Sequence, residues 1–209
     1  MRAAARGRFV TLEGIDGAGK STHAAFIVEW LQARGRTVVA TREPGGTPLG
    51  ERLRDLLLAE AMDHETATLI LFAARREHVA RVIRPALERG HDVVCDRFTD
   101  ATYAYQGGGH GVAAAFIGTL AAAVHPDCNP DLTFLFDVPL EVSRQRLLRS
   151  AAKGRELDRF EREEQAFFER VRTVYLDRAR AEPARFALVD SSRPVEEVRE
   201  RLTALLSRA

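Results

Sequence analysis

The sequence has little cysteine, no long hydrophobic run and almost no excess of charge of one sign. Its two cysteines, Cys95 and Cys128, show neither Cys-x-x-Cys nor zinc-ligand spacing, so we expect no disulfide framework and no structural zinc site. No apolar run is long enough to cross a bilayer. A net charge of +1 argues against a broad nucleic-acid-binding surface. We therefore expect no membrane or nucleic-acid partner, and a location in the reducing cytoplasm.

The composition that remains is that of a folded globular protein. Hydrophobic residues make up 45% of the chain and charged residues 29%, which excludes a disordered protein. The length suits a single domain over residues 1–209. Residues 1–8 carry arginines among alanines but are too short for a targeting peptide, so we predict a short leader before the first strand.

Short apolar runs alternate with longer amphipathic stretches along the chain. The runs are too short for helices and apolar on both faces, which predicts buried parallel strands at residues 9–12, 37–40, 92–95, 132–136 and 186–189. The amphipathic stretches predict helices at residues 21–34, 66–89, 161–180 and 195–207, with C-terminal caps at Gly35 and Gly90 and a kink at Pro85. This alternation predicts a three-layer α/β fold, in which a central parallel five-stranded sheet is flanked by helices. Ligands of such sheets bind at the carboxyl ends of the strands.

A phosphate-binding motif follows the first predicted strand. Residues 14–21 fit G-x-x-x-x-G-K-[ST] and open a predicted helix, the context that this motif requires. Its backbone N–H groups and the helix N-terminus attract phosphate, while Lys20 is expected to reach the β- and γ-phosphates and Ser21 to ligate Mg²⁺. The alternative is a chance match in a glycine-rich turn. The motif predicts ATP contacts from Gly14, Ile15, Asp16, Gly17, Ala18, Gly19, Lys20, Ser21 and Thr22.

Two polar residues, Asp96 and Arg97, follow the third predicted strand. A carboxylate at a strand end can hold Mg²⁺ directly or through water, and a guanidinium fork suits the monophosphate of an acceptor. The alternatives are a solvated acid and a surface ion pair. We predict Ser21 and Asp96 at the metal, and Lys20, Asp96 and Arg97 among the catalytic residues. The absence of an Asn-Lys-x-Asp guanine motif and the short chain favour a small kinase over a GTPase or an ATPase machine.

Two further strings decide between kinases. Residues 41–47 read Thr-Arg-Glu-Pro-Gly-Gly-Thr and residues 104–107 read Ala-Tyr-Gln-Gly. With the phosphate loop, they resemble the thymidylate kinase family in its bacterial form, over about residues 9–206. The resemblance implies a P-loop kinase fold with a small mobile lid at residues 146–161. It also implies Mg²⁺-dependent phosphoryl transfer from ATP to dTMP in dTTP biosynthesis, by a homodimer formed through helices that include residues 66–89.

The resemblance also implies an acceptor site. In the family, a Phe stacks on thymine and an Arg four residues later contacts the base and phosphate, which points to Phe72 and Arg76. Matching from the following segment makes Arg75 the equivalent instead, so both arginines remain candidates, and core packing is the alternative for Phe72. The remaining implied dTMP contacts are Asp16 at the 3′-OH, Tyr105 against C2′, and Glu43, Pro44, Arg97, Thr102 and Gln106. The glycines at 107–109 could instead form a flexible loop without ligand contact.

The catalytic cation is expected from the lid. Some family members have an Arg where this chain has Gly17, and members without it supply cations from a basic lid. Residues 144–159 are dense in cations, although a solvated helix face would look similar. We predict Arg155 as the main lid cation, with Lys153 and Arg159 as alternates. Arg146 resembles the family arginine that stacks on adenine.

Two other functions remain open from the sequence alone. One is a kinase for a different nucleotide or a deoxynucleoside, because the fold and the phosphate loop do not select the acceptor. The other is a protein that binds ATP as a regulatory switch and has no small acceptor.

Overall fold

The computed structural model describes residues 6–152, 160–161 and 163–207. Within them, five parallel strands form one sheet in the order β2-β3-β1-β4-β5. The predicted runs are confirmed as strands, and each strand continues one or two residues beyond the predicted carboxyl end. The strands are β1 (Phe9–Glu13), β2 (Val38–Arg42), β3 (Asp92–Asp96), β4 (Leu132–Asp137) and β5 (Phe186–Asp190).

Helices connect the strands and cover both faces of the sheet. Successive residues of β1 join different core clusters: Phe9 packs with Val79 and Ile83, whereas Val10 packs with Ile27 and Phe134. This arrangement confirms the three-layer α/β fold. The α-helices are α1 (Lys20–Gln32), α2 (Pro48–Ala59), α3 (His64–His78), α4 (Arg84–Glu88), α5 (Thr99–Thr102), α6 (Ala114–Val124), α7 (Leu140–Ala151), α8 (Gln165–Ala181) and α9 (Val195–Leu206).

None of the helices in the described ranges is long and apolar enough to span a membrane. Both cysteines are buried and unpaired, as expected for a chain without a disulfide framework.

The predicted helix over residues 66–89 is divided into three segments. Between α3 and α4 the chain forms a π-helical segment, Val79–Ile83, which ends two residues before Pro85. Proline has no N–H for the bond to the carbonyl four residues earlier, and its ring crowds that carbonyl, so the wider turn accommodates it. Gly35 and Gly90 both have φ of 77° and terminate helices as predicted.

The glycines at 107–109 are packed and do not form a flexible loop. They end a second π-helical segment, Tyr103–Gly109, which lies against α8. A Cβ at Gly108 would be 2.6 Å from Val174, and one at Gly109 would be 2.2 Å from Phe167. Glycine therefore permits the close approach of two helices, which fixes the position of the residues at 105 and 106.

Candidate active site

The phosphate loop wraps around the N-terminus of α1. Gly14, Gly17 and Gly19 have φ of 137°, 76° and 92°, which residues with a Cβ rarely adopt. At Gly14 the need is also steric, because a Cβ would be 2.3 Å from the carbonyl oxygen of Phe136. The backbone geometry that the motif predicts is therefore present.

Lys20 lies inside this loop. Its Nζ donates hydrogen bonds to the carbonyl oxygens of Gly14 at 2.9 Å and Ile15 at 3.0 Å. Burial and the nearby Arg97 lower the pKa of Lys20, while the charge of Asp96 opposes that change. A compact cation is thus held at the centre of a phosphate-binding loop.

Three side chains donate hydrogen bonds to backbone carbonyl oxygens of the phosphate loop. Ser143 donates to the carbonyl oxygen of Asp16 at 2.6 Å, and Ser191 donates to that of Ala18 at 2.6 Å. Sequence reasoning missed both serines, although Ser191 directly follows the carboxyl end of β5. Arg146 donates to the carbonyl oxygen of Gly17 at 3.3 Å and also lines the cavity beside the loop.

Ser21 and Asp96, the two predicted metal ligands, lie side by side. The Oγ of Ser21 is 3.4 Å from one carboxylate oxygen of Asp96. The other oxygen, Oδ1, is buried and has no hydrogen-bond partner among the described residues. The described chain contains no cluster of three or more His, Cys, Asp or Glu that could hold a metal ion. One hydroxyl and one carboxylate fit Mg²⁺, which keeps waters and phosphate oxygens as its other ligands.

An open cavity of about 760 Å³ lies in front of the loop. We call it the donor cavity. Of the predicted ATP contacts, Gly14, Ile15 and Ala18 do not line it. Their carbonyl oxygens accept hydrogen bonds from Lys20 and Ser191. The others line the donor cavity: Asp16, Gly17, Gly19, Lys20, Ser21, Thr22 and Arg146.

A smaller cavity of about 120 Å³ opens beside it, and we call it the acceptor cavity. All but two of the predicted dTMP contacts line it: Asp16, Glu43, Pro44, Arg75, Arg97, Thr102, Tyr105 and Gln106. Its other walls are largely apolar and include Leu57, Leu71 and Phe98. A few polar groups in an apolar wall are typical of a small-molecule site.

The two cavities share four charged residues: Asp16, Glu43, Arg54 and Arg97. The guanidinium of Arg97 forms an ion pair with Asp16 and donates to the hydroxyls of Tyr105 at 3.0 Å and Tyr175 at 3.1 Å. Burial opposes both charges, but their mutual attraction prevails: the pKa of Arg97 lies well above its ordinary value and that of Asp16 below. A permanently charged fork therefore stands between the two cavities.

The thymidylate kinase family model matches residues 12–202. The chain belongs to the thymidylate kinase family. It is 64% identical to the thymidylate kinase of Bordetella pertussis over 197 residues, covering 94% of this chain and 93% of that protein. It is 59% identical to that of Methylobacillus flagellatus over 201 residues, covering 96% and 97%. The crystal structure of thymidylate kinase from Ehrlichia chaffeensis superposes with a TM-score of 0.78 at 35% identity, covering 97% of this chain and 99% of that one.

The structure separates the two candidate arginines of the family's acceptor helix. Arg75 is buried and reaches Glu43 at 2.7 Å and Thr102 at 3.0 Å. Its Nη1 is buried beside the acceptor cavity and has no hydrogen-bond partner in the described chain. Arg76 is exposed and donates to the carbonyl oxygen of Val124 at 3.1 Å, away from the cavity. Of the two candidates, Arg75 lines the acceptor cavity and Arg76 does not.

Phe72 lies elsewhere than the resemblance implied. It is buried in an apolar cluster with Val112 and Ile117, where α3 packs against α6, and it does not line the acceptor cavity. Leu71 lines the cavity instead, four residues before Arg75 and on the same helical face. The spacing of four residues that the resemblance implies between Phe72 and Arg76 is therefore also that between Leu71 and Arg75.

Arg54 of α2 is the main site residue that sequence reasoning missed. It lines both cavities and donates to the carbonyl oxygen of Pro44 at 3.3 Å. A signal was present in the sequence: Thr47 caps the helix by accepting from the N–H of Gly50 at 2.9 Å, and Pro48 occupies the first turn. These two residues predict a helix directly after the acceptor string.

The predicted lid cations Lys153, Arg155 and Arg159 lie outside the described residues, and their roles stay predictions. Two residues that follow them are described. Phe160 lines the acceptor cavity, and Glu161 lines the donor cavity.

Proposed function

We propose that this protein transfers the γ-phosphoryl group of Mg·ATP to dTMP, giving ADP and dTDP. The observation that carries the proposal is the meeting of two cavities at Arg97, one beside a phosphate loop and one lined by the acceptor residues of the thymidylate kinase family. Phosphoryl transfer needs the two substrates in line and the charge of the moving group neutralised, and this arrangement can supply both.

The donor would bind in the donor cavity. Backbone N–H groups of the phosphate loop and the ammonium of Lys20 would bind its phosphates, and Lys20 would exchange its bonds to the loop carbonyls for bonds to phosphate oxygens. Ser21 and Asp96 would hold Mg²⁺, which when bound neutralises charge on the β- and γ-phosphates.

The acceptor monophosphate would bind at the junction of the cavities, between Arg97 and Arg54. Hydrogen bonds hold the guanidinium of Arg97 at this junction, and it would exchange some of them for bonds to phosphate oxygens, as Lys20 would. A phosphate monoester is already largely ionised near neutral pH, because its second pKa is about 6. The reaction therefore needs no protein general base.

The rest of the acceptor cavity would hold the nucleoside. Arg75, Thr102 and Gln106 place polar groups for the base in a wall that also includes Leu71. Tyr105, fixed by a 2.7 Å hydrogen bond from its hydroxyl to Asp16, would exclude a ribose 2′-hydroxyl by contact. These features support a deoxynucleotide acceptor.

A substrate panel tests the proposed reaction. With Mg·ATP, ADP release should be dominated by dTMP when dUMP, ribothymidylate, dCMP, AMP, UMP and thymidine are compared. Turnover on another acceptor would keep the donor site and overturn the acceptor assignment. ATP binding without turnover on any of these acceptors would favour the regulatory switch.

We also propose a homodimer formed through α3 and α6. The exposed side of α3 carries Leu69, which is 49% exposed, and Ala73, and Phe116 and Leu120 of α6 are only partly buried. Burying such a surface favours association. Light scattering of the purified protein should give twice the mass of one chain, and Leu69→Lys should shift it toward a monomer. A monomeric parent protein would contradict the proposal.

A further inference from the structure

Glu13 is a buried carboxylate that the reaction described above does not use. It ends β1, directly before the phosphate loop, and is completely inaccessible to solvent. One carboxylate oxygen accepts the backbone N–H of Phe98 at 2.7 Å, and the other accepts the hydroxyl of Tyr175 at 2.9 Å. Glu13 thus joins the central strand to the segment after β3 and to helix α8.

The first of these hydrogen bonds fixes the backbone around Arg97. Arg97 has φ of 69°, in the left-handed region, and among the described residues no other non-glycine has a positive φ. Such a conformation is unfavourable for a residue with a Cβ and persists only where the surroundings impose it. Here the N–H of Arg97 bonds to the carbonyl oxygen of Leu12 at 2.9 Å, and the next N–H, of Phe98, bonds to Glu13. Both sides of the strained residue are therefore tied to the end of β1.

The second hydrogen bond reaches the side chain of Arg97. Because the hydroxyl of Tyr175 donates to Glu13, its lone pairs are left to accept the 3.1 Å bond from Nη1 of Arg97. An ionised Glu13 therefore orients the Tyr175 hydroxyl as a donor to the carboxylate. The oxygen of that hydroxyl then holds Nη1 of Arg97 in place. One carboxylate acts on both the backbone and the fork of the same arginine.

We propose that Glu13 is a positioning residue for phosphoryl transfer, which holds Arg97 in the orientation that contacts the acceptor phosphate. This inference rests on the proposed kinase function. It assigns Glu13 no contact with either substrate.

The environment of Glu13 does not favour a purely stabilising role. Burial and the charge of Asp100 raise its pKa to about 8, against the opposing effects of Arg97 and of the hydrogen bonds from Tyr175 and Phe98. Because burial disfavours the charged form, a carboxylate at this position stabilises the fold less than an apolar side chain of the same size would. Its hydrogen bonds to the surroundings of Arg97 provide a reason for its presence.

The test is a double-mutant cycle between Glu13→Gln and Arg97→Lys, assayed at about pH 9 so that the parent carboxylate is ionised. Glutamine keeps the size and can accept from only one of the two donors. In the parent background we expect kcat with dTMP to fall on the order of 10- to 100-fold, while KM for ATP changes less than about twofold. In the Arg97→Lys background, the same change should lower kcat by less than about threefold, because the fork that Glu13 positions is gone. Unchanged kcat in the first background, or an equal loss in both, would overturn the proposal.

Two further variants separate positioning from folding. Tyr175→Phe removes the bridging hydroxyl alone and should also lower kcat non-additively with Arg97→Lys; it supplies the same cycle if Glu13→Gln does not fold. Thr11 lies on the same strand as Glu13, and Thr11→Val removes its buried 2.8 Å hydrogen bond to Thr133 of β4, away from Arg97. It should lower thermal stability but leave kcat unchanged, and an equal loss of kcat in Thr11→Val would show a structural effect only. Failure of the parent protein to phosphorylate dTMP would overturn the kinase function itself.

Discussion

Replacing Arg97 with alanine is expected to lower kcat for dTMP on the order of 100- to 1,000-fold, the loss typical of removing one preorganised electrostatic contact. Arg97 lies between the two cavities, and four groups fix its fork: Asp16, the carbonyl oxygen of Gly14 and the hydroxyls of Tyr105 and Tyr175. These bonds place the charge of Arg97 at the junction before substrates bind. Steady-state kinetics with varied dTMP and ATP measures the effect.

Three control variants separate chemistry from stability. Arg97→Lys keeps the charge but cannot reach the same partners, so it should recover only part of the loss. Arg97→Gly should be as inactive as the alanine variant but more stable by about 1 kcal/mol, because glycine tolerates the positive φ. Arg180→Ala removes an arginine whose side chain is 72% exposed and should leave kcat unchanged. Wild-type kcat in Arg97→Ala would remove Arg97 from the mechanism.

Replacing Arg75 with methionine should impair both dTMP binding and folding. The loss of its hydrogen bonds in the acceptor cavity should raise KM for dTMP on the order of 10- to 100-fold. The change also leaves the carboxylate of Glu43, 5% exposed, with His78 as its only remaining side-chain partner among the described residues. Breaking a buried ion pair in this way should lower the free energy of unfolding by about 3–5 kcal/mol near neutral pH, as chemical denaturation would measure.

The stability that the ion pair between Arg75 and Glu43 contributes depends on pH. Burial acts to raise the pKa of Glu43, but Arg75 and His78 outweigh it and hold the pKa below its ordinary value. A carboxyl group with a lowered pKa contributes stability that is present above the unfolded-state pKa and is lost as the pH falls through the folded-state value. The difference in stability between the parent and Arg75→Met should therefore shrink below about pH 4.

Arg76→Met is the matched control, because Arg76 is adjacent on the same helix and exposed. It should change the free energy of unfolding by no more than about 0.5 kcal/mol and leave KM for dTMP unaffected. A rise in KM for dTMP in Arg76→Met, without one in Arg75→Met, would show that Arg76 is the arginine that contacts dTMP.

The parts of the fold that were predictable depend on local sequence. The five strands followed from short apolar runs, and the phosphate loop followed from its spacing, because both are specified within a few consecutive residues. The helix caps at Gly35 and Gly90 were also predictable from a few residues, because a positive φ at a helix end strongly favours glycine. Asp96 and Arg97 were found because the carboxyl ends of parallel strands meet at one edge of the sheet.

The acceptor wall was less predictable because it depends on helix rotation and on packing between distant segments. Periodicity placed Leu71, Phe72 and Arg75 on one helix but could not determine which of them faces the cavity. Phe72 packs between helices α3 and α6, so Leu71 meets the acceptor cavity. Arg54 was missed because its partner, the carbonyl of Pro44, lies on the preceding loop, so its position depends on how α2 folds back. The π-helical segments likewise depend on contacts with α8 and on Pro85, and not on apolar spacing alone.

The wall shared by the two cavities links the affinities of their ligands. Asp16, Glu43, Arg54 and Arg97 face both sides, so a nucleotide that engages these charges from one cavity changes the field in the other. Such a coupling free energy belongs to the pair of ligands: ATP must change the Kd of dTMP by the same factor as dTMP changes the Kd of ATP. A dissociation constant for either substrate is therefore defined only at a stated concentration of the other.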